Sequence, residues 1–523
     1  MCPRSQPAAA PTTIGVVGAG TMGAGIAQVS ALAGARTLLY DPIAQARERA
    51  VESIERRLAR MAQRERISES EAAAARERLS ACDALDALAE AELVIEAAPE
   101  DLELKHETFA ALAAVVSADC VLATNTSSLS ITEVAADVPE PGRVVGMHFF
   151  NPVPAMALVE CVAGEQTSAE AVAVARAAGE AMGKRVIAAP DIAGFLVNRV
   201  NRPFSLEALA LLEAGVASPE EIDRIARLSG GFRMGPFELM DLIGIDTNQA
   251  VAESLYRASY GEPRYRPSAL QARKIAAGAL GRKTGRGWYD HAPDGDVDAP
   301  ATADPKPPAG GGGDGRAVAI LGDCPVIREL SALATDAGWR TRADALGDAW
   351  IVVDGRLAAD APPVETPAPV MRLLAGGSLH ALAPGAVGFH ALPPLGESTT
   401  IELAVTERTR ADARERVEAF VASLGRVAVP VGDAPGLVLG RIVCQLINEA
   451  AFLVGEGNGA AADVDEGMTL GVNHPRGPVA WSRLIGLPHV CAVLDGLARE
   501  LGDPRYRVAP LIRQRLAVGA ELG

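Results

Sequence analysis

The sequence predicts an α/β domain built on a parallel sheet, then an all-α domain, then a weaker copy of the same pair. Three observations predict it. The apolar run Thr12 to Val17 leads into Gly18-Ala19-Gly20-Thr21-Met22-Gly23 and then a small-residue helical segment, Ala24 to Gly34. Strand-like runs recur at Arg36 to Tyr40, Leu93 to Ala97, Val121 to Thr124 and Val144 to Met147, as a doubly wound sheet requires. Finally, a late segment repeats an earlier one in constant register: Asp191 and Gly194 match Asp433 and Gly436 (433 − 191 = 242), and Gly235-Pro236 matches Gly477-Pro478 (477 − 235 = 242). Arg199/Arg441, Glu207/Glu449, Gly215/Gly457 and Asp223/Asp465 keep the same offset. One register held over more than fifty residues signals duplication.

The elements follow in order. Gly18 permits a tight turn, Gly20 lets backbone approach a pyrophosphate, and Gly23 lets helix pack closely on strand. With Thr21 and Met22 they open a helix whose unpaired N–H groups suit an anion. Asp41 closes the second strand 23 residues after Gly18 (41 − 18 = 23), where a carboxylate accepts from the adenosine ribose and repels an additional phosphate. The cofactor read from this pattern is NAD. Residues 44–81 are rich in Ala, Arg and Glu and read as a helical hairpin, with Ser68 and Glu71 spaced as a capping box.

The domain reading is a Rossmann-type domain over 12–190 carrying the 44–81 hairpin, a helical domain over 191–291, and a flexible linker over 292–316 rich in Gly and Pro. A degenerate Rossmann-like domain over 317–431 and a second helical domain over 432–523 complete it. The degenerate domain keeps one glycine of the fingerprint, Gly322, and the second helical copy has Gly440 where the first has Asn198. The second half is therefore expected to be structural.

A chain of 523 residues suits three or four domains at roughly 150 residues each. The net charge of −17, from 49 basic and 66 acidic residues, argues against nucleic-acid binding. Seven cysteines without a CxxC pair read as reduced thiols, and no metal site is expected. Residues 1–13 lack the apolar core of a secretory signal. The apolar stretch Val197 to Leu212 is broken by Arg199, Arg202, Pro203 and Glu207, so no membrane span is expected and a cytoplasmic location follows.

The chemistry centres on His148, read as lying just past the Val144 to Met147 strand, where open α/β sheets bind ligands. Glu160, twelve residues on, is placed to orient its ring and favour the imidazolium as a hydroxyl proton is taken and hydride leaves.

Together, the Gly18 fingerprint, Asn125 to Ser128, MHFFNP around His148, Glu160, GFLVNR around Asn198 and MGPFELMDLIGID from Met234 resemble the L-3-hydroxyacyl-CoA dehydrogenase family, in its order, over residues 12–290. The two-helical-domain length is similar to long bacterial members of the 3-hydroxybutyryl-CoA and 3-hydroxyadipyl-CoA dehydrogenase kind. The resemblance implies NAD-dependent oxidation of a (3S)-3-hydroxyacyl-CoA to the 3-ketoacyl-CoA. The acyl chains would be short, medium or dicarboxylic, in fatty-acid or phenylacetate-type catabolism. It implies that His148 is the base, that Glu160 orients it, and that Ser127 and Asn198 bind the substrate oxygens. It also implies that Glu100, Lys105, Ser127, Asn151 and Lys283 contact NAD, and that the 44–81 hairpin binds coenzyme A. The family pairs through its helical domain, which here implies either a homodimer or an intrachain pseudo-dimer. Ala157 departs from the pattern, since many relatives carry lysine there. The rival readings are a dehydrogenase of non-thioester hydroxy acids and a non-catalytic NAD-binding or structural protein of the same fold.

Overall fold

A computed structural model describes residues 9–292, 300–343 and 346–523. Cys2, the other residues of the 1–8 stretch and linker residues 293–299 lie outside the described residues. The chain forms two compact units, one comprising residues up to Arg199 with Leu470–Val472, the other the remainder.

In the first unit the strands are β1 (Thr13–Val17), β2 (Arg36–Tyr40), β3 (Leu79–Cys82), β4 (Leu93–Glu96), β5 (Val121–Thr124), β6 (Val144–Phe149), β7 (Leu158–Ala163) and β8 (Arg185–Pro190). They form one sheet in the order β3-β2-β1-β4-β5-β6-β7-β8. Every neighbouring pair is parallel except β6 with β7. The central strands β4 and β5 are buried throughout, as strands covered by helices on both faces must be.

Helices α1 (Thr21–Leu32), α2 (Ala44–Gln63), α3 (Glu69–Arg78), α4 (Leu102–Val115), α5 (Ile131–Ala135) and α6 (Ala169–Ala181) connect them. The hairpin is α2 and α3, and its capping box forms as the sequence predicts: Glu71 N–H donates to Ser68 Oγ, and Ser68 N–H to Glu71 Oε2. Ala50, Ile54, Leu58 and Ala62 recur every fourth residue along α2 and bury one stripe, leaving Arg49, Arg56 and Arg60 exposed. The hairpin ends earlier than the sequence suggests. Residues 79–82 pair with β2 as an edge strand, and with only Cys82 of the four buried they carry no periodic signal in the sequence.

The second unit begins with α7 (Val197–Glu213), a helix whose first three residues belong to the first unit, and continues through α8 (Pro219–Leu228), α9 (Pro236–Ile243), α10 (Ile245–Ala258) and α11 (Ala269–Ala276). Strands β9 (Ala317–Leu321), β10 (Arg340–Arg342), β11 (Ile351–Asp354), β12 (Val370–Leu373), β13 (Val387–His390), β14 (Thr400–Ala404) and β15 (Val427–Pro430) follow. Their order, β10-β9-β11-β12-β13-β14-β15, is that of the first sheet without its β3, and β13/β14 is again the antiparallel pair. The second α/β domain is therefore the matching half of the duplication. A second set of helices closes the chain, led by Leu439–Gly455.

The linker is not free over its described part. Ala301 N–H donates to Glu238 Oε1, Asp304 pairs with Arg227, and Gly311 and Gly313 N–H groups donate to Ser423 and Ala337 carbonyls. Gly-rich composition lowers the cost of close backbone approach as well as of disorder, and here approach wins: a Cβ on Gly313 would meet backbone at 2.5 Å.

Within this unit the two helical copies contact each other reciprocally. Glu207 accepts from Arg441 Nε at 2.8 Å and Tyr506 OH at 3.1 Å, while Glu449 accepts from Arg264 and Tyr265 at 2.5 Å. Tyr265 and Tyr506 are counterparts, as are Glu207 and Glu449. Arg507 pairs bidentately with Glu262, and its counterpart Arg266 donates from one nitrogen to both oxygens of Asp503. Contacts in which residue i meets j and j meets i have the isologous pattern of a two-fold interface, made here inside one chain.

Candidate active site

The first turn is built for an anion. Gly18 has φ +100°, and a Cβ there would lie 2.6 Å from the Ala97 carbonyl oxygen. A Cβ on Gly23 would lie 1.8 Å from the Gly18 carbonyl oxygen, so only glycine lets α1 sit this close. Gly20 has open space around its Cβ position; as N-cap of α1 it supplies no side-chain cap, and the first turn with Thr21 and Met22 holds no acidic residue. The unpaired helix N–H groups and the open approach fit a pyrophosphate. Asp41 is fixed at the end of β2 by the Ala19 and Ile43 N–H groups, one to each carboxylate oxygen.

His148 lies inside β6 rather than beyond it, since the strand runs on to Phe149. The antiparallel register with β7 sets His148 directly opposite Glu160. Both are buried, at 6% and 0% exposure, and His148 Nδ1 donates to Glu160 Oε2 at 2.7 Å. The other oxygen of Glu160 accepts the Leu196 and Val197 N–H groups at 3.0 and 2.9 Å. Nε2 of His148 carries no hydrogen bond among the described residues, and the ring packs on Phe150 and Phe195 at 4.6 and 5.8 Å.

Asn198 follows at once on α7, and its Nδ2 reaches the Ser127 carbonyl oxygen at 3.5 Å. Ser127 in turn meets Glu100. One oxygen of Glu100 accepts from Thr126 Oγ1, from Ser127 N and Oγ, and from Ser128 N and Oγ, between 2.8 and 3.2 Å. Burial raises the Glu100 carboxyl, but the Lys105 charge and these donors outweigh it and hold it below the usual carboxylate range. Asn125, quoted in the motif but given no role by sequence, accepts the Phe149 N–H at 2.9 Å and so fixes the backbone beside His148.

Two predicted cofactor contacts stand differently from the rest. Lys105 is 1% exposed, and its ammonium bonds both oxygens of Glu96 at 2.8 and 2.9 Å. Lys283 belongs to the second unit, where it pairs with Asp246 and draws that carboxyl down. Asn151 is exposed in the loop after β6, and Ala157 is exposed just before β7. Lys184, unmarked by any sequence signal, is buried and holds the Val153 and Met156 carbonyls of this loop at 2.7 Å. No group of three or more metal-ligating side chains occurs among the described residues.

The second half keeps the pair but not the site. His390 and Glu402 stand opposite each other in β13 and β14, at the offset of the repeat (390 − 148 = 242; 402 − 160 = 242). Glu402 accepts the Val438 and Leu439 N–H groups, as Glu160 accepts Leu196 and Val197. His390 instead turns to His489, Nε2 to Nε2 at 3.0 Å, and leaves its Nδ1 without a partner. Burial pushes the Glu402 carboxyl up to about 8 and His390 well below its usual value. Gly440, at the Asn198 position, is where a Cβ would strike the His390 ring at 2.1 Å. At the nucleotide turn Gly322 survives with φ +93°, but Ile327 stands where Gly23 does (322 + 5 = 327; 18 + 5 = 23) and fills the space over Gly355.

Comparison with known proteins agrees with this geometry. Residues 13–192 match the family model for the 3-hydroxyacyl-CoA dehydrogenase NAD-binding domain, and residues 194–291 and 436–521 each match that for the C-terminal domain. The chain is 36% identical over 503 residues to 3-hydroxyadipyl-CoA dehydrogenase of Escherichia coli K12, covering 96% of this chain and 97% of that one. It is 42% identical over 276 residues to a probable 3-hydroxybutyryl-CoA dehydrogenase of Bacillus subtilis, covering 53% of this chain and 96% of that one. Among solved structures, a 3-hydroxybutyryl-CoA dehydrogenase from Escherichia coli K12 superposes with TM-score 0.81 at 34% identity, covering 97% of this chain and 98% of that one.

Proposed function

The chain belongs to the 3-hydroxyacyl-CoA dehydrogenase family and is an NAD-dependent oxidoreductase, and from that premise we propose that it oxidises (3S)-3-hydroxyacyl-CoA thioesters of short or dicarboxylic acyl chains. The observation that carries this reading is the buried His148–Glu160 pair, whose Nε2 bears no hydrogen bond among the described residues, in the same unit as the Asn198–Ser127 contact. Nε2 takes the proton of the 3-hydroxyl, and Glu160 supports the imidazolium through Nδ1. NAD, when bound, accepts the hydride from C3, which leaves the 3-keto group. Ser127 and Asn198 polarise that oxygen, and the apolar walls Phe150 and Phe195 exclude water from it. Asp41 and the turn at Gly18, Gly20, Thr21, Met22 and Gly23 hold the dinucleotide. Glu100, Lys105 and Asn151 complete its surroundings, Lys105 through its hold on Glu96. The substrate places the enzyme in fatty-acid or phenylacetate-type catabolism.

The test is NADH absorbance with purified protein, NAD and a panel of 3-hydroxybutyryl, 3-hydroxyhexanoyl and 3-hydroxyadipyl thioesters. Turnover that falls by orders of magnitude in His148→Ala supports the proposal. Silence across the panel with NAD still bound overturns it.

A further inference from the structure

Glycine is a poor choice inside a helix, because it loses more backbone freedom on folding than alanine and adds no packing. Gly471 nevertheless stands buried in the last turn of the helix Ala461–Val472. Its backbone is outside the left-handed region, so no turn calls for it. What calls for it is space. A Cβ there would lie 2.8 Å from Leu158 Cδ2, and 3.3 and 3.4 Å from Cζ and Cε1 of Phe150. That ring is the one packed on the His148 imidazole, with centroids 4.6 Å apart. The turn Leu470–Val472 is distant in sequence from the nucleotide-binding domain, yet it belongs to the same compact unit as His148, Ser127 and Asn198.

The other helical copy shows the same turn where no ring has to be seated. Ser229 stands at the Gly471 position (471 − 229 = 242), and Thr400 at the Leu158 position (400 − 158 = 242). Ser229 Oγ donates to the Thr400 carbonyl at 3.2 Å, so a side chain fits at this helix end and is used. In place of Phe150 stands Leu392 (392 − 150 = 242), buried but without a ring. The fold therefore accepts a side chain at this turn. The chain omits one where an aromatic ring backs a histidine that is tied to its glutamate.

We propose that Gly471 is a positioning residue for the oxidation: by carrying no side chain it seats the Phe150 ring against His148, so that a segment of the second helical domain is part of the active site. This rests on the thioester-oxidation reading above and deepens it, giving the half expected from sequence to be structural a share in the reaction. Glu160 fixes the imidazole through Nδ1, and Phe150 and Phe195 confine the ring, so Nε2 keeps one direction. An added Cβ meets Leu158 at the end of a flexible side chain. It meets Phe150 at a rigid ring, which moves as a whole and passes the displacement to His148. Misplacing a base costs rate rather than cofactor affinity.

The experiment uses the full-length enzyme with Gly471→Val, Gly471→Ala, Phe150→Leu and the double variant Phe150→Leu/Gly471→Val. It reads kcat and KM with the best thioester of the panel above, NADH affinity by fluorescence, melting temperature, and the spectrum of ring-labelled histidine with His148 assigned from His148→Ala. Gly471→Val should lower kcat on the order of 10- to 100-fold, leave NADH affinity unchanged and displace the His148 resonance. Gly471→Ala should shift both readings in the same direction by less. In the Phe150→Leu background Gly471→Val should cost no further rate, because the ring it acts through is gone. Ser229→Ala, at the matching turn, should leave kcat unchanged. An equal loss of kcat with and without the Phe150 ring overturns the proposal, and so does an unmoved His148 resonance. Should Gly471→Val fail to fold, Gly471→Ala decides by the same two readings. Absence of wild-type turnover with every thioester marks instead the failure of the underlying function, and the resonance then decides the seating of the ring by itself.

Discussion

At Glu160 one carboxylate oxygen takes the His148 ring proton while the other accepts the N–H groups that open α7. Glu402 repeats only the second of these bonds, so tying strand to helix is a fold-level duty that persists in the half where no histidine is oriented. Phe195 tells a similar story: its φ of +49° beside His148 invites a catalytic explanation, yet its counterpart Leu437 has φ +45° in the half without a site. The left-handed residue belongs to the turn. His148→Ala should lower kcat by about 10²–10⁴-fold while NADH affinity, followed by fluorescence titration, stays put. At Lys105 the expected effect is different. Lys105→Met strands a buried Glu96 and should destabilise the protein by roughly 3–5 kcal/mol in urea melts, whatever it does to NAD binding.

At the scale of elements, the two strand pairs place their histidines alike, and the difference lies in the space beside each ring. β6/β7 and β13/β14 share topology and register, but in the second the ring has swung into the space that a side chain at Gly440 would need. Gly440→Asn should therefore destabilise the second half rather than restore a site, and no gain in dehydrogenase rate should accompany the loss in melting temperature. Activity gained in that variant would show the second sheet to be a latent enzyme. The helical hairpin is set by its own sequence: a four-residue buried stripe on α2 and a capping box on α3 fix its two ends without help from the sheet.

Across the whole molecule, the duplication joins its helical copies through charges that answer each other. Glu207 lies at the centre of one set, with Arg441 and Tyr506 donating to it. Glu207→Ala leaves Arg441 buried without its partner and should cost roughly 3–5 kcal/mol of unfolding free energy, most of which Glu207→Leu with Arg441→Met should recover. The rim behaves differently with pH. Hydrogen bonding from Arg507 holds the Glu262 carboxyl down at about 2, below its ordinary 4.5. Its stabilisation is then present above pH 4.5 and fades as pH falls towards 2. The Arg507 side chain is 43% exposed, which keeps that contribution small. The difference in melting temperature between wild type and Glu262→Gln should shrink over that range, and a difference constant with pH would refute the assignment.

How much of this was legible depended on how far each signal reaches along the chain. The glycine turn, Asp41, the hairpin, the constant offset of the repeat and the His148–Glu160 spacing are short-range or periodic patterns, and sequence carries those directly. It also carried the family resemblance. The sequence could not say that Glu100 gathers five donors from residues 126–128, that Lys105 is spent on Glu96, or that the glycine-rich linker is anchored along its described part. It missed His390 and Glu402 too, since two residues in an otherwise diverged stretch make no motif. These are partnerships between segments far apart in the chain. Burial and hydrogen-bond satisfaction choose among many equally plausible partners for a buried charge, and that choice is made only when the chain is packed. Arg202 shows the difference most clearly: a helix position in the sequence, and in the folded protein a buried cation with no carboxylate partner among the described residues.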